Sequence, residues 1–256
     1  MKFEKPTSFM GVPIEGAYEK AIKDQEESAR NKTPESKPII PNPSNASPED
    51  GFVYIPSIGL YLAKEKTLKG LNWEKTHEEL ANQNTFMPTI SQFKEFVKYL
   101  RSNPSGTKDA TGQEISSILD EILTVRNPWR SEWLDAKFEV VDKTLGMFGG
   151  KTLIHYDHRF SNGSLQAGKS EPLDDYLTSD KKPGISLDDW LENANKYGLP
   201  KPDVKEGELY YWHPRNGTVA GFVADSGGAG LYCSEGPSVR DGVLGVRAAK
   251  ILGGNK

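Results

Sequence analysis

Val219-Ala-Gly-Phe-Val-Ala-Asp-Ser-Gly-Gly-Ala-Gly-Leu-Tyr-Cys233 is a frame of small and apolar residues interrupted by residues that share no chemistry. Side chains alternate between the two faces of a strand, so Ala220, Phe222 and Ala224 form one row. After the Gly227-Gly228 break, Ala229, Leu231 and Cys233 form a second row. The positions between them are Gly221, Val223 and Asp225, then Gly230, Tyr232 and Ser234. Both apolar rows are expected to pack inward and the mixed positions to point outward. Such a miscellany suits a surface whose contents can change better than it suits a catalytic site.

The frame continues through Pro237 to Leu244-Gly245-Val246-Arg247. As a string, Val219, Ala220, Phe222, Ala224, Ala229, Leu231, Cys233, Pro237 and Leu244–Arg247 resemble the variable region of diversity-generating retroelement proteins. The group most resembled is that of archaea, their viruses and small-genome microbes. The resemblance implies a C-type lectin-like fold of the formylglycine-generating-enzyme subtype. It also implies a variable region over about 210–247, whose chosen codons are rewritten by a reverse transcriptase. Met87-Pro88-Thr89 ahead of an apolar helix is similar to the Leu-Pro-Thr helix start of that fold and is a second point of contact.

The chain has 256 residues, enough for one large domain or a domain with an appendage. A net charge of −4 argues against a dedicated nucleic-acid binder. No apolar run reaches the roughly 20 residues that span a bilayer, and Met1–Pro6 lacks the apolar core of a secretory signal. A single cysteine excludes an internal disulfide.

Residues 1–50 read as an N-terminal extension, flexible or serving for attachment. Pro34, Pro38, Pro41, Pro43 and Pro48 block any long helix there, and 15–30 suits a short charged helix. The domain is expected over 51–256. Phe52–Ile55 and 58–63 read as strands, and Trp73–Asn82 as a helix with Trp73, His77, Leu80 and Ala81 on one side. Ile90–Leu100 reads as a helix capped by Thr89, and 114–125 as another, with Ile115, Ile118, Leu119 and Ile122 inward. Strands follow at 136–141 and Thr152–Tyr156, separated by a turn at 146–150. Residues 160–184 read as a polar surface insert, 187–197 as a helix capped by Ser186, and 208–212 and 217–233 as strands. Trp129, Trp133 and Trp190 are expected in the core. Of Tyr210, Tyr211 and Trp212, at least one is expected to alternate outward. Short helices, long loops and no βαβ rhythm predict an α+β class with small antiparallel sheets.

Three constellations bear on chemistry. In His155-Tyr156-Asp157-His158, His155 and Asp157 share a face and His158 points away, with His213 the nearest further candidate. Two ligands do not close a zinc site, so no metal and no cofactor are expected. Cys233 lies in an apolar row, where a free thiol behaves as a small hydrophobe; the cysteine pair of the formylglycine-generating enzymes is missing. Glu171-Pro172 and Lys201-Pro202-Asp203 are fragments of lectin calcium loops, with too few oxygens nearby.

These readings converge on a ligand-binding display protein that is not an enzyme. The expected contact residues are Arg215, Gly221, Val223, Asp225, Gly228, Gly230, Tyr232, Ser234, Ser238, Val239, Asp241, Gly242 and Val243. The expected partner is a protein or glycan on a target cell surface, with residues 1–50 offered to a virus structural protein. The expected location is a virion or cell surface reached without a standard signal peptide. The alternatives are an enzyme of the formylglycine-generating or metal-dependent type, relying on Cys233 or the histidines, and an inert structural virus protein.

Overall fold

A computed structural model describes residues 50–125, 127–141 and 150–251, together with the antiparallel pairing of β1 (Ser8–Phe9) with β2 (Val12–Pro13). The expected helix at 15–30 and the turn glycines Gly146 and Gly149 lie outside those residues. The chain divides into two units, Met1–Pro41 and Asn42–Lys256. The second is a mixed α+β unit with four helices among the described residues.

Its first strands, β3 (Phe52–Ile55) and β4 (Leu60–Ala63), form a hairpin that the C-terminal β15 (Ala249–Ile251) completes as a three-stranded sheet. Helix α1 (Trp73–Asn82) starts where the Asn72 side chain accepts from Lys75 N, satisfying one orphan amide of the first turn. It buries Trp73, Thr76, His77 and Leu80; Ala81, expected inward, is exposed because the buried stripe runs through Thr76 instead. Helices α2 (Ile90–Ser102) and α3 (Gly112–Leu123) each open on a capping box, Thr89 with Gln92 and Thr111 with Glu114. The Thr111 box sets the start of α3 two residues before the expected Glu114.

The main sheet runs β10 (Lys181–Ile185), β11 (Leu209–Trp212), β13 (Gly228–Glu235), β12 (Val219–Asp225), β5 (Arg130–Val140), β6 (Thr152–Tyr156) and β9 (Lys169–Pro172), with β14 (Leu244–Gly245) paired parallel to β5. Strand β5 (Arg130–Val140) starts six residues earlier than expected. Its early half carries Glu132 and Asp135, which precede the strand expected at 136–141 and are buried against partners. Alternate β5 residues divide between two cores: Leu134, Ala136 and Phe138 join the larger, under the helices, and Trp133 joins a smaller one with Trp73, Val219, Leu244 and Val246. Trp133 and Trp190 are fully buried, whereas Trp129 is only half-buried.

Residues 160–184, expected as a polar surface insert, are largely exposed and are built from short strands. They contain most of the β7 (Arg159–Ser161)–β8 (Ser164–Gln166) hairpin, the edge strand β9 (Lys169–Pro172) on β6 (Thr152–Tyr156), and most of β10 (Lys181–Ile185), which pairs with β11 (Leu209–Trp212). These short edge strands are mostly exposed, so they lack the alternation that reveals a half-buried strand. Helix α4 (Leu187–Asn193) stops four residues short of the expected Tyr197. The Asn195 side chain takes the amides of Tyr197 and Leu199 at 3.0 Å each, a local alternative to helical bonding.

Candidate functional site

The site is built on β12 (Val219–Asp225) and β13 (Gly228–Glu235), an antiparallel hairpin joined by Ser226-Gly227. Phe222 pairs with Leu231 and Gly221 with Tyr232, so the two residue sets fall on opposite faces as parity requires. On the inner face Phe222 lies 5.3 Å from the Phe93 ring of α2 and 6.1 Å from Trp190 of α4, centroid to centroid. Ala220, Leu231 and Cys233 belong to the same core. Burial pushes the Cys233 thiol well above its ordinary range, which leaves no nucleophilic thiolate there.

On the opposite face β11, β13 and β12 lie side by side. Tyr210 pairs with Gly230 and Trp212 with Tyr232, and Val223 faces Gly230 from the other side. The Trp212 and Tyr232 rings are 5.6 Å apart, and the Lys182 ammonium sits 5.2 Å from the Trp212 centroid, a cation–π distance. The Tyr232 hydroxyl donates to Asp225 Oδ2 at 3.0 Å, while Asp225 Oδ1 accepts from Gly227 N at 2.7 Å. Burial and that carboxylate push Tyr232 well above the usual phenol range. Glu235 is half-buried; desolvation first, and Asp225 second, raise its pKa. Aromatic rings and carboxylates thus line a shelf beside glycine positions.

Not every expected contact residue reaches solvent. Gly221, Val223 and Gly230 are on the correct face but buried, Val223 at 4% exposure. A central strand is covered on both sides, which parity alone does not reveal. A Cβ on Gly230 would lie 2.7 Å from Tyr210 O and 2.8 Å from Tyr210 Cβ, so that position admits no side chain without backbone movement. Asp225, Gly228, Tyr232 and Ser234 are half-buried.

Ser238, Val239, Asp241, Gly242 and Val243 lie on the loop leading to β14, where Ser238, Val239 and Gly242 are exposed. Asp241 Oδ1 accepts from Val243 N at 2.9 Å, and Val243 O accepts from Lys66 Nζ at 3.0 Å, which hold the loop end against the body. Gly242 and Val243 border a cleft of about 710 Å³ with Lys64, Lys66, Glu121 and Arg130. A second groove of about 630 Å³ runs past Gly228, Tyr210, Leu187 and Val125. Arg215 stands apart from both, bound to Asp180 at 2.9 Å.

Leu244, Val246 and Arg247, all members of the fixed frame, are buried. Arg247 Nε donates to Glu132 at 3.1 Å and Nη2 to Glu121 at 2.6 Å, with the carbonyls of Ala63 and Lys64 taking Nη1. An arginine at zero exposure is thereby matched by two carboxylates and two carbonyls.

The three histidines weighed as metal ligands separate. His155 bonds Ser170 Oγ at 2.7 Å and Glu139 at 3.2 Å, and His213 bonds Asp180 at 2.6 Å. His158 instead meets Asp135 of β5 and His77 of α1, in a buried group whose donor atoms all lie within 4.8 Å of one another. Sequence reading missed this group because its members are 58 and 23 residues apart (77 to 135 and 135 to 158). The one signal was a histidine on the buried side of α1.

Comparison with family models, curated proteins and solved structures returned no match.

Proposed function

We propose that this chain is a ligand-binding display protein, with a C-type lectin-like fold of the formylglycine-generating-enzyme subtype and a C-terminal surface diversified by a retroelement. The observation that carries the reading is the contrast in burial along one segment. Val219, Ala220, Phe222, Ala224, Leu231, Cys233, Leu244, Val246 and Arg247 are all buried. Asp225, Tyr232, Ser234, Ser238, Val239 and Gly242 retain surface. Substitutions at exposed positions such as Ser238, Val239 and Gly242 usually change stability by less than about 0.5 kcal/mol, so such a surface can be rewritten without unfolding its support. The capping box at Thr89, directly after Met87-Pro88, is consistent with the lectin-type helix start.

Binding falls to the Tyr210–Trp212–Tyr232 aromatics with Asp225 and Glu235, and to the 238–243 loop. Rings with polar tips are efficient contact residues, and the intended target is a protein or glycan on another surface. Catalysis is not part of the proposal: Cys233 is packed in the core, and the histidines are paired with carboxylates or buried. The test is deep sequencing of this locus in its source population across codons 210 to 247. Changes are expected at Asp225, Tyr232, Ser234, Ser238 and Val239, with Phe222, Ala224, Leu231 and Cys233 constant. Flat variation, or none at the surface positions, overturns the retroelement reading.

A further inference from the structure

We propose that His77, Asp135 and His158 form a buried site for a divalent transition metal, zinc by ligand chemistry, which pins α1 and the turn after β6 to the central strand β5. This inference does not depend on the display reading.

The geometry is that of a three-donor site. Asp135 Oδ1 lies 2.5 Å from His158 Nδ1 and 3.6 Å from His77 Nε2. Asp135 Oδ2 is held by the backbone amide of His158 at 2.9 Å, so the carboxylate is oriented from behind. The three side chains are 5% exposed or less. The Trp73 ring stands edge-on to both imidazoles, at 4.4 Å from His77 and 4.9 Å from His158. Its indole N–H is already engaged by Leu134 O at 3.0 Å, so the tryptophan walls the group without bonding to it.

The decisive feature is His77 Nε2, which is buried and has no hydrogen-bond partner. It is aimed at the Asp135 oxygen but stops beyond hydrogen-bond range. A buried polar atom left unsatisfied is costly, and such atoms call for an explanation in a water, an ion or a function. A cation between the three donors supplies the missing partner and offsets the buried Asp135 charge. Two imidazoles and one carboxylate suit zinc and its neighbours, and are poor for calcium, which takes six or more oxygens. Bonds of about 2.0–2.2 Å in a tetrahedral site set donors about 3.3–3.6 Å apart, so the 3.6 Å pair already fits, while the 2.5 Å pair has to open by about 1 Å and give up its hydrogen bond when the ion enters. Three protein donors leave a fourth position for water, and the burial of all three keeps that position away from bulk solvent.

The test uses the full-length chain, stripped with a chelator and titrated with Co(II), then with Zn(II) under metal analysis by mass spectrometry. About one metal per chain is expected, with visible Co(II) ligand-field bands and a higher Tm when metal is bound. His77→Ala, His158→Ala and Asp135→Asn should each weaken binding at least tenfold, and His155→Ala and His213→Ala should leave it unchanged. Variants that fail to fold do not rescue the idea, because the wild-type titration stands alone. No Co(II) bands and no metal-dependent Tm in the wild-type chain overturn the site. Binding that survives His77→Ala, or disappears with His155→Ala, does the same.

Discussion

The two faces of the β12–β13 hairpin obey different rules. The inner face carries Phe222, Leu231 and Cys233 into the core beneath α2 and α4. The other face carries Asp225 and Tyr232 beside Tyr210 and Trp212, on carbon surfaces kept low by Gly228 and Gly230. One face is fixed by volume, the other by a few polar contacts. A single short segment therefore holds both closely packed and partly exposed positions. The division is not clean, since Val223 and Gly230 belong to the second face and are buried all the same.

The largest expected effect is that of Phe222→Ala. Removing a ring packed between Phe93 and Trp190 should cost about 3–5 kcal/mol, read from denaturant unfolding. A loss no larger than that of a surface substitution would mean the inner row is not the support. Arg247→Ala should come next, at about 3–5 kcal/mol, because it strands Glu132 at 4% exposure. Adding Glu132→Gln to that variant should recover part of the loss, since the uncompensated charge is then gone. A double variant no better than Arg247→Ala would place the cost in lost packing instead of charge.

A matched pair of glycines sharpens the boundary. Gly230→Asn forces a Cβ into the Tyr210 backbone, and overpacking of this kind costs about 1–3 kcal/mol. Gly242→Asn meets nothing within 4 Å and should stay within about 0.5 kcal/mol. Thermal unfolding of the two variants measures whether an expected contact position is open or closed to exchange. Equal Tm values would erase the distinction.

Much of this arrangement was legible from residue order. The period-two rows at 220–233 gave the hairpin faces, and Thr89 with the stripe Ile90, Phe93, Phe96, Val97 and Leu100 gave α2 within two residues of its end. The misses share a physical cause. Glu132 and Asp135 hide the first half of β5, because a strand with buried, paired carboxylates looks polar in sequence. The edge strands β7 to β9 bury little and so carry no apolar period. Gly221, Val223 and Gly230 show that parity assigns a face, while coverage of that face comes from strands and loops far away in sequence. The His77–Asp135–His158 group is of the same kind: each member is ordinary in its own segment, and only the meeting of α1, β5 and the turn after β6 makes a cluster.

The smallest expected effect tests the polar face itself. Glu235 has its pKa raised in the folded chain, by burial and then by Asp225, so the folded state holds that proton more tightly than the unfolded chain does. The associated stability is fully present below the unfolded pKa of about 4.3 and is lost as pH rises through the folded value. Glu235→Gln removes the titration while keeping the shape. Variant and wild type should therefore unfold alike in acid and diverge toward neutral pH, with the glutamine chain the more stable by on the order of 0.5 kcal/mol. A wild type that gains on the variant as pH rises would mean that Glu235 is held by a cation, not opposed by Asp225.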